Sequence, residues 1–158
     1  MTSAHNSQIP DTGRIAGIDY GTVRIGVAVS DARQTIASPA ANYTRRGTKA
    51  DAEFFKQLVR DEQIVGFVVG LPVHSGGGES AKSVEARAFG RWLGEVTSLP
   101  VAYSDERFTS VEAEQHLLGA QLTKKRRKAR LDMLAAQIML SGYLEARDRG
   151  APPTALEG

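Results

Sequence analysis

The sequence has no cysteine among its 158 residues. This absence excludes a disulfide framework, a thiolate metal site and a cysteine nucleophile. The chain also lacks an apolar run long enough to cross a bilayer, and residues 1–11 are polar, unlike a secretion signal. We therefore expect a cytoplasmic protein with no membrane association. The length is typical of one domain with one core.

The chain carries little net charge, formally +2, but its positive charges are unevenly distributed. We call residues 124–130 the basic segment; its basic members are Lys124, Lys125, Arg126, Arg127, Lys128 and Arg130. A segment of this kind indicates a polyanionic partner that is met at one place. An exposed, solvated loop is the alternative. We favour a contact with a nucleic-acid backbone, because the segment leads directly into Asp132.

Apolar patterns predict a β-hairpin near the start of the chain. Two β-branched runs within residues 14–31 flank Gly21-Thr22, and Asp19 ends the first run. A third strand is expected over residues 34–43, at an edge of the sheet because it contains Pro39. Further along, periodicity predicts helices over 49–62, 79–98, 109 to about 118 and 131–147, and strands over 64–69 and 99–104.

The predicted order of elements is β-β-β-α-β-α-β-α-α. This order is typical of an α/β fold with a mixed five-stranded sheet and helices on both faces. We expect residues 1–13 to be a disordered lead, 14–148 to form the single domain, and 149–158 to be a flexible tail.

Three acidic residues stand at the ends of predicted elements: Asp19, Glu106 and Asp132. In open α/β sheets, sites form beyond the carboxyl ends of parallel strands, so these acids can converge there. Convergent carboxylates repel one another unless cations lie between them, and oxygen ligands suit Mg²⁺ or Mn²⁺. Two such ions, roughly 4 Å apart, form the usual clamp for attack on a phosphodiester.

Each of these acids also has a structural interpretation. Asp19 can cap the turn that follows it, and Asp132 can be a first-turn acid that complements the helix dipole. Glu106 can be a solvated loop acid. Side chains alternate across a strand, so Asp105 and Glu106 cannot both face the site. We prefer Glu106, although spacing alone does not decide between the two.

Four motifs in order resemble the successive motifs of the YqgF family, also called RuvX. They read G-I-D-Y-G-T-V-R-I-G-V-A-V-S-D, V-V-G-L-P, D-E-R-F-T-S-V-E-A-E and L-D-M-L-A-A-Q-I-M-L-S-G-Y-L, and span about Arg14 to Leu144. The resemblance implies an RNase H-like fold, a divalent-metal nuclease and a cytoplasmic role in maturing the 5′ end of 16S rRNA. The family's three acidic positions fall on Asp19, Glu106 and Asp132.

The chain departs from the family pattern at two positions that face the substrate. Val23 stands where the family usually has lysine, and we expect Arg24 to take over that charge. His74 stands at a polar position that is commonly asparagine. Arg107 is placed to contact a phosphate, with a salt bridge to Asp105 as the alternative. The predicted nucleic-acid contacts are therefore Arg24, His74, Arg107 and the basic segment.

Three rival functions remain at this point. The Asp-x-Gly-Thr hairpin also resembles the first phosphate motif of sugar kinases, actin and heat-shock ATPases, but those proteins need a second similar domain. A Holliday junction resolvase acting on branched DNA would need a two-fold dimer. A non-catalytic nucleic-acid binder would keep the basic segment without cleaving anything. We expect a monomer or weak homodimer whose partner is a ribosomal RNA precursor or branched DNA.

Overall fold

A mixed five-stranded sheet forms the centre of the fold in the computed structural model, which describes residues 9–72, 80–105 and 124–148, with the backbone alone for 124–130 and 148. The strands are β1 (Arg14–Asp19), β2 (Arg24–Ser30), β3 (Ala37–Thr44), β4 (Ile64–Leu71) and β5 (Val101–Asp105). Their order across the sheet is β3-β2-β1-β4-β5. The first three strands pair antiparallel, whereas β4 and β5 run parallel to β1. The predicted mixed sheet is confirmed.

Helices cover both faces of the sheet, as predicted. They are α1 (Thr48–Glu62), α2 (Ala81–Thr97) and α3 (Lys124–Asp148). The apolar cluster on one face includes Phe55 of α1 and Phe89 of α2, and the cluster on the other includes Met139 and Leu140 of α3. The helix predicted over residues 109–118 lies outside the described residues. Within the described residues, no helix is long and apolar enough to cross a membrane.

Residues of β1 alternate between these two clusters. Ala16 and Ile18 pack under α1 and α2, whereas Ile15 packs under α3. Gly17 also faces α3, because a Cβ atom placed on it would lie 2.9 Å from Leu140 Cβ. The same alternation places the last residue of the strand, Asp19, on the α3 face.

The helix that carries Asp132 begins seven residues earlier than predicted. We expected it to start at residue 131, but α3 starts at Lys124 and includes the whole basic segment. Lysine and arginine have good helix propensity, but positive charge at a helix N-terminus opposes the macrodipole. The prediction started at residue 131 because the apolar periodicity begins there, and the alternative of a loop over the basic segment is wrong.

The N-terminal boundary also differs from its prediction. Ile9 is buried, and it packs in the cluster that lies under α3. Arg147 holds the same segment by donating hydrogen bonds to the Ile9 carbonyl oxygen and to the Asp11 carboxylate. Residues 9–13 thus belong to the fold rather than to a disordered lead. Pro39 does lie on the edge strand β3, as its presence predicted.

A buried ion pair joins α1 to the end of β3. The Asp51 carboxylate, whose side chain is 1% exposed, accepts hydrogen bonds from Tyr43 Oη, Arg45 Nε and the Arg46 backbone N–H. Burial alone would raise the pKa of Asp51, but these hydrogen bonds outweigh it and hold the pKa below its ordinary value. The carboxylate therefore stays charged inside the protein, with all of its charge locally compensated.

Asp51→Asn is expected to lower the free energy of unfolding at pH 7 by roughly 2–3 kcal/mol, because it leaves Arg45 without its partner. Because the pKa of Asp51 is lower in the folded state, its contribution to stability is complete above the unfolded-state pKa of about 3.9. This contribution is lost as the pH falls toward the folded-state pKa. The difference between variant and wild type should therefore shrink from pH 7 to pH 3 in urea titrations. Asp61→Asn, at an exposed carboxylate of the same helix, is the control; equal curves for Asp51→Asn and wild type would contradict the assignment.

Candidate metal and nucleic-acid site

The carboxyl ends of the three parallel strands meet at one edge of the sheet. Asp19 is the last residue of β1, and Asp105 is the last residue of β5. Between them lies the end of β4, where Leu71 pairs with Asp105. Parallel strands carry their functional residues at this edge, so the predicted location of the site agrees with the observed topology.

Asp132 lies against the strand residue that pairs with Asp19. In the β1–β2 register, Asp19 stands opposite Gly26. A Cβ atom placed on Gly26 would overlap the backbone carbonyl oxygen of Asp132, so α3 rests directly on the sheet at this point. Asp19 also faces α3. The structure thus brings together Asp19 and Asp132, two of the three predicted acids, although 113 positions separate them in the sequence.

The position of Asp132 within α3 does not fit its interpretation as a first-turn acid. A first-turn acid would complement the helix dipole, but α3 begins at Lys124, so Asp132 lies more than two turns inside the helix. The favourable effect of a carboxylate on the dipole fades within the first turn. The dipole therefore does not account for an acid at this position.

Arg24 binds Asp132 directly. Its Nε donates a hydrogen bond to Asp132 Oδ2 at 3.3 Å, and the two side chains are 31% and 27% exposed. Arg24 is two residues before Gly26 on β2, so it shares the α3 face with it. The side chain predicted to contact substrate is therefore at the site, but it is engaged with a carboxylate there. Its neighbour Val23 is 61% exposed.

Asp105 is on the opposite face of the sheet from Asp19. Val101 and Tyr103 pack in the cluster with α1 and α2, whereas Ala102 packs against the cluster under α3. Alternation therefore turns Asp105, which is exposed, away from the α3 face.

Four of the predicted features lie outside the described residues, wholly or in part. These are Glu106, Arg107, His74 and the side chains of the basic segment, of which the helical backbone alone is described. Within residues 9–72, 80–105 and 124–148, no group of three or more acidic or histidine side chains is arranged to hold a metal ion. Glu106, the third acid of the predicted set, is not among those residues.

Tyr20, the residue after Asp19, is held by contacts with Arg45 that the sequence analysis did not predict. Arg45 donates a hydrogen bond to Tyr20 Oη at 3.2 Å, and its guanidinium lies 5.5 Å from the ring centroids of Tyr20 and Phe89. Asp51 holds Arg45 in turn. An acid in the first turn of α1 was visible in the sequence, but its partners were not, since they come from other elements.

Solved structures define the class of fold. Thermus thermophilus RuvC in complex with a Holliday junction substrate aligns over 88% of this chain and 97% of its own, with a TM-score of 0.55 and 14% identity. The fowlpox virus resolvase, solved with Holliday junction DNA, aligns over 85% of this chain and 98% of its own, with a TM-score of 0.54 and 12% identity. The predicted RNase H-like fold is confirmed.

Sequence comparison defines the family. The model of a family described as RuvX, Holliday junction resolvase, matches residues 13–146. The "Putative pre-16S rRNA nuclease" of Rhodopirellula baltica is 46% identical over 150 residues, which cover 94% of this chain and 87% of that protein. The protein of the same name from Paracoccus denitrificans is 42% identical over 87% of each chain. This chain belongs to the RuvX family, as its motifs indicated.

Proposed function

We propose that this protein is a metal-dependent nuclease that hydrolyses phosphodiester bonds at the 5′ end of the 16S rRNA precursor, in the cytoplasm. The observation that carries the proposal is the convergence of Asp19 and Asp132 on one face of the sheet, at the edge where the parallel strands end. Membership of the RuvX family and the names of its 46% and 42% identical relatives support the substrate.

The residues present fit a divalent cation. Asp19 and Asp132 supply oxygen ligands, which Mg²⁺ and Mn²⁺ prefer. Asp132 already pairs with a cationic group, the guanidinium of Arg24, which supports a cation site at this position. Strand alternation turns Asp105 away and favours Glu106 as the third ligand. A bound ion would activate a water for attack and stabilise charge on the phosphate oxygens.

The chain's own basic residues would hold the substrate around these acids. Arg24 emerges beside the site, and we assign Arg107 and His74 to contacts with nearby phosphates. The basic segment forms the first turns of the helix that carries Asp132. A nucleic-acid backbone bound to this segment would therefore extend toward Asp132 and Asp19. Such contacts are non-specific and release counterions, which makes binding depend strongly on salt.

A comparison of substrates tests the proposal. Wild-type protein is incubated with a 16S rRNA precursor and with a four-way DNA junction, each with Mg²⁺ or Mn²⁺ and with EDTA. We expect metal-dependent cleavage of the RNA near its 5′ end. Cleavage of the junction alone would instead support the resolvase function for which the family is named, and light scattering should then reveal a dimer. Binding without cleavage of either substrate would establish a non-catalytic module.

Replacing Lys125, Arg126 and Arg127 by alanine is expected to weaken RNA binding and to flatten its salt dependence. Each lost phosphate contact reduces the magnitude of the slope of log K against log salt by about 0.7–0.9, so three contacts reduce it by about 2–3. Fluorescence anisotropy between 50 and 300 mM KCl measures this slope. The control replaces Lys49, Lys56 and Arg60, exposed cations of α1 on the other face. An unchanged slope in the first variant would show that the basic segment does not bind RNA.

A further inference from the structure

Arg24 has two possible partners, a substrate phosphate and the carboxylate of Asp132. Its place beside the site suits a substrate phosphate, but its Nε donates to Asp132 Oδ2 in the structure. A carboxylate oxygen that accepts this hydrogen bond is also an oxygen that a metal ion would use. The residue is therefore engaged with the site itself before any substrate arrives.

We propose that Arg24 is the counter-ion of Asp132 in the metal-free protein, and that a divalent cation displaces it when the site is loaded. The inference rests on the proposed function, in which Asp19 and Asp132 hold the metal. The released guanidinium is then available to bind a phosphate of the substrate. One arginine thus serves the empty site and the occupied site in turn.

The contact between Arg24 and Asp132 has the properties of an exchangeable pair. It consists of a single hydrogen bond of 3.3 Å, longer than the 2.7–2.9 Å typical of charge-assisted bonds. Both side chains keep more than a quarter of their surface in solvent. The pair of Arg45 with Asp51 is different: its carboxylate is 1% exposed and has three donors. The Arg45–Asp51 pair is therefore buried and fixed, whereas the Arg24–Asp132 pair at the candidate site is open to solvent.

Electrostatics favours exchange over coexistence. Asp19 and Asp132 converge on one face, so without a cation their charges repel. Arg24 offsets this repulsion in the metal-free protein. A divalent ion on the same carboxylates brings twice the charge and sits close to the guanidinium, and like charges at that separation repel. The arginine is the partner that can leave, since its long side chain already reaches solvent.

Magnesium binding, measured by calorimetry without nucleic acid, tests the exchange. Arg24→Gln removes the competitor, so we expect Mg²⁺ to bind about fivefold more tightly or better, within the usual range of coupling between ligands. Arg14→Gln is the matched control. Arg14 forms a similar half-exposed ion pair with Glu62, 3.1 Å long, at the opposite end of β1. Its loss changes net charge equally and should leave Mg²⁺ affinity unchanged.

The Nε–H signal of Arg24 in nitrogen-edited NMR tests displacement in the wild-type protein. We expect this signal to be observable without metal, and to shift and broaden as Mg²⁺ saturates the site. Triple-resonance spectra of the wild-type protein assign it. A signal that persists unchanged at saturating Mg²⁺, or an Arg24→Gln variant that binds Mg²⁺ equally or more weakly, would overturn the inference. The NMR measurement stands even where the glutamine variant folds poorly.

Asp19→Asn separates this inference from the function on which it rests. If Asp19→Asn loses Mg²⁺ binding while Arg24 of the wild-type protein stays in place at saturating Mg²⁺, the metal site holds and the exchange fails. If Asp19→Asn binds Mg²⁺ as the wild type does, the metal assignment itself fails. If both the binding and the exchange respond as expected, Arg24 couples the arrival of metal to the exposure of a phosphate-binding group.

Discussion

Asp19→Asn is expected to lower the rate of phosphodiester cleavage at least about a hundredfold, a loss typical of removing one group that stabilises charge in the transition state. Asparagine keeps the shape of the side chain but not its charge, so a divalent cation loses one of its anionic ligands. The strand itself should fold normally, because Asp19 is a half-buried residue at its end. Gel assays on a 16S rRNA precursor with Mg²⁺ measure the rate.

Asp31→Asn is the matched control for this substitution. Asp31 follows β2 at the opposite end of the hairpin, where it accepts hydrogen bonds from Ile36 and Thr35. Those bonds hold its pKa at about 2, so the residue is fully charged at neutral pH. Its replacement should leave cleavage unchanged. Equal rates for Asp19→Asn and wild type would remove Asp19 from the site.

Gly26→Ala is expected to disrupt both the fold and the site. The added Cβ would overlap the backbone carbonyl oxygen of Asp132, and neither backbone can yield as a flexible side chain would. Helix α3 must therefore move away from β2, and Asp132 moves with it. We expect a loss of roughly 2–3 kcal/mol in the free energy of unfolding, as for other overpacked positions. Cleavage should fall as far as it does in Asp19→Asn.

Gly142→Ala tests the same change where there is room for it. Gly142 lies in α3 too, but a Cβ atom there would meet no other atom within 4 Å. Alanine has higher helix propensity, so this variant should be as stable as the wild type or more stable by up to about 1 kcal/mol. Urea unfolding and the cleavage assay are applied to both variants. A Gly26→Ala protein with normal activity would show that the position of Asp132 does not matter.

The sequence predicted the sheet because its signals are local. Apolar alternation and the Gly21-Thr22 turn define the hairpin, and the strand–helix alternation after it defines the parallel strands. Asp19 was identifiable because an acid at the end of an apolar strand is unusual. The edge at which the acids gather follows from strand direction alone. These features needed no knowledge of distant contacts.

The contacts that define the site were not predictable in the same way. Arg24 and Asp132 are 108 positions apart, and nothing near either residue indicates the other. The burial of Asp51 depends on Tyr43 and Arg45, which arrive from β3 and the turn after it. The start of α3 at Lys124 was missed because the apolar periodicity that predicts the helix begins only at Leu131. Tertiary packing decides the first two of these features.

The opening of α3 has a consequence for how the protein responds to its partner. Six basic residues lie in the first two turns of α3, at the positive end of the helix dipole, and the first turn contains no acid. Positive charge is therefore concentrated where the helix dipole disfavours it. We expect a bound polyanion to offset this concentration of positive charge and to stabilise the first turns of α3. Because Asp132 belongs to the same helix, the nucleic-acid contact proposed for the basic segment would then also help to fix the carboxylate at the candidate site.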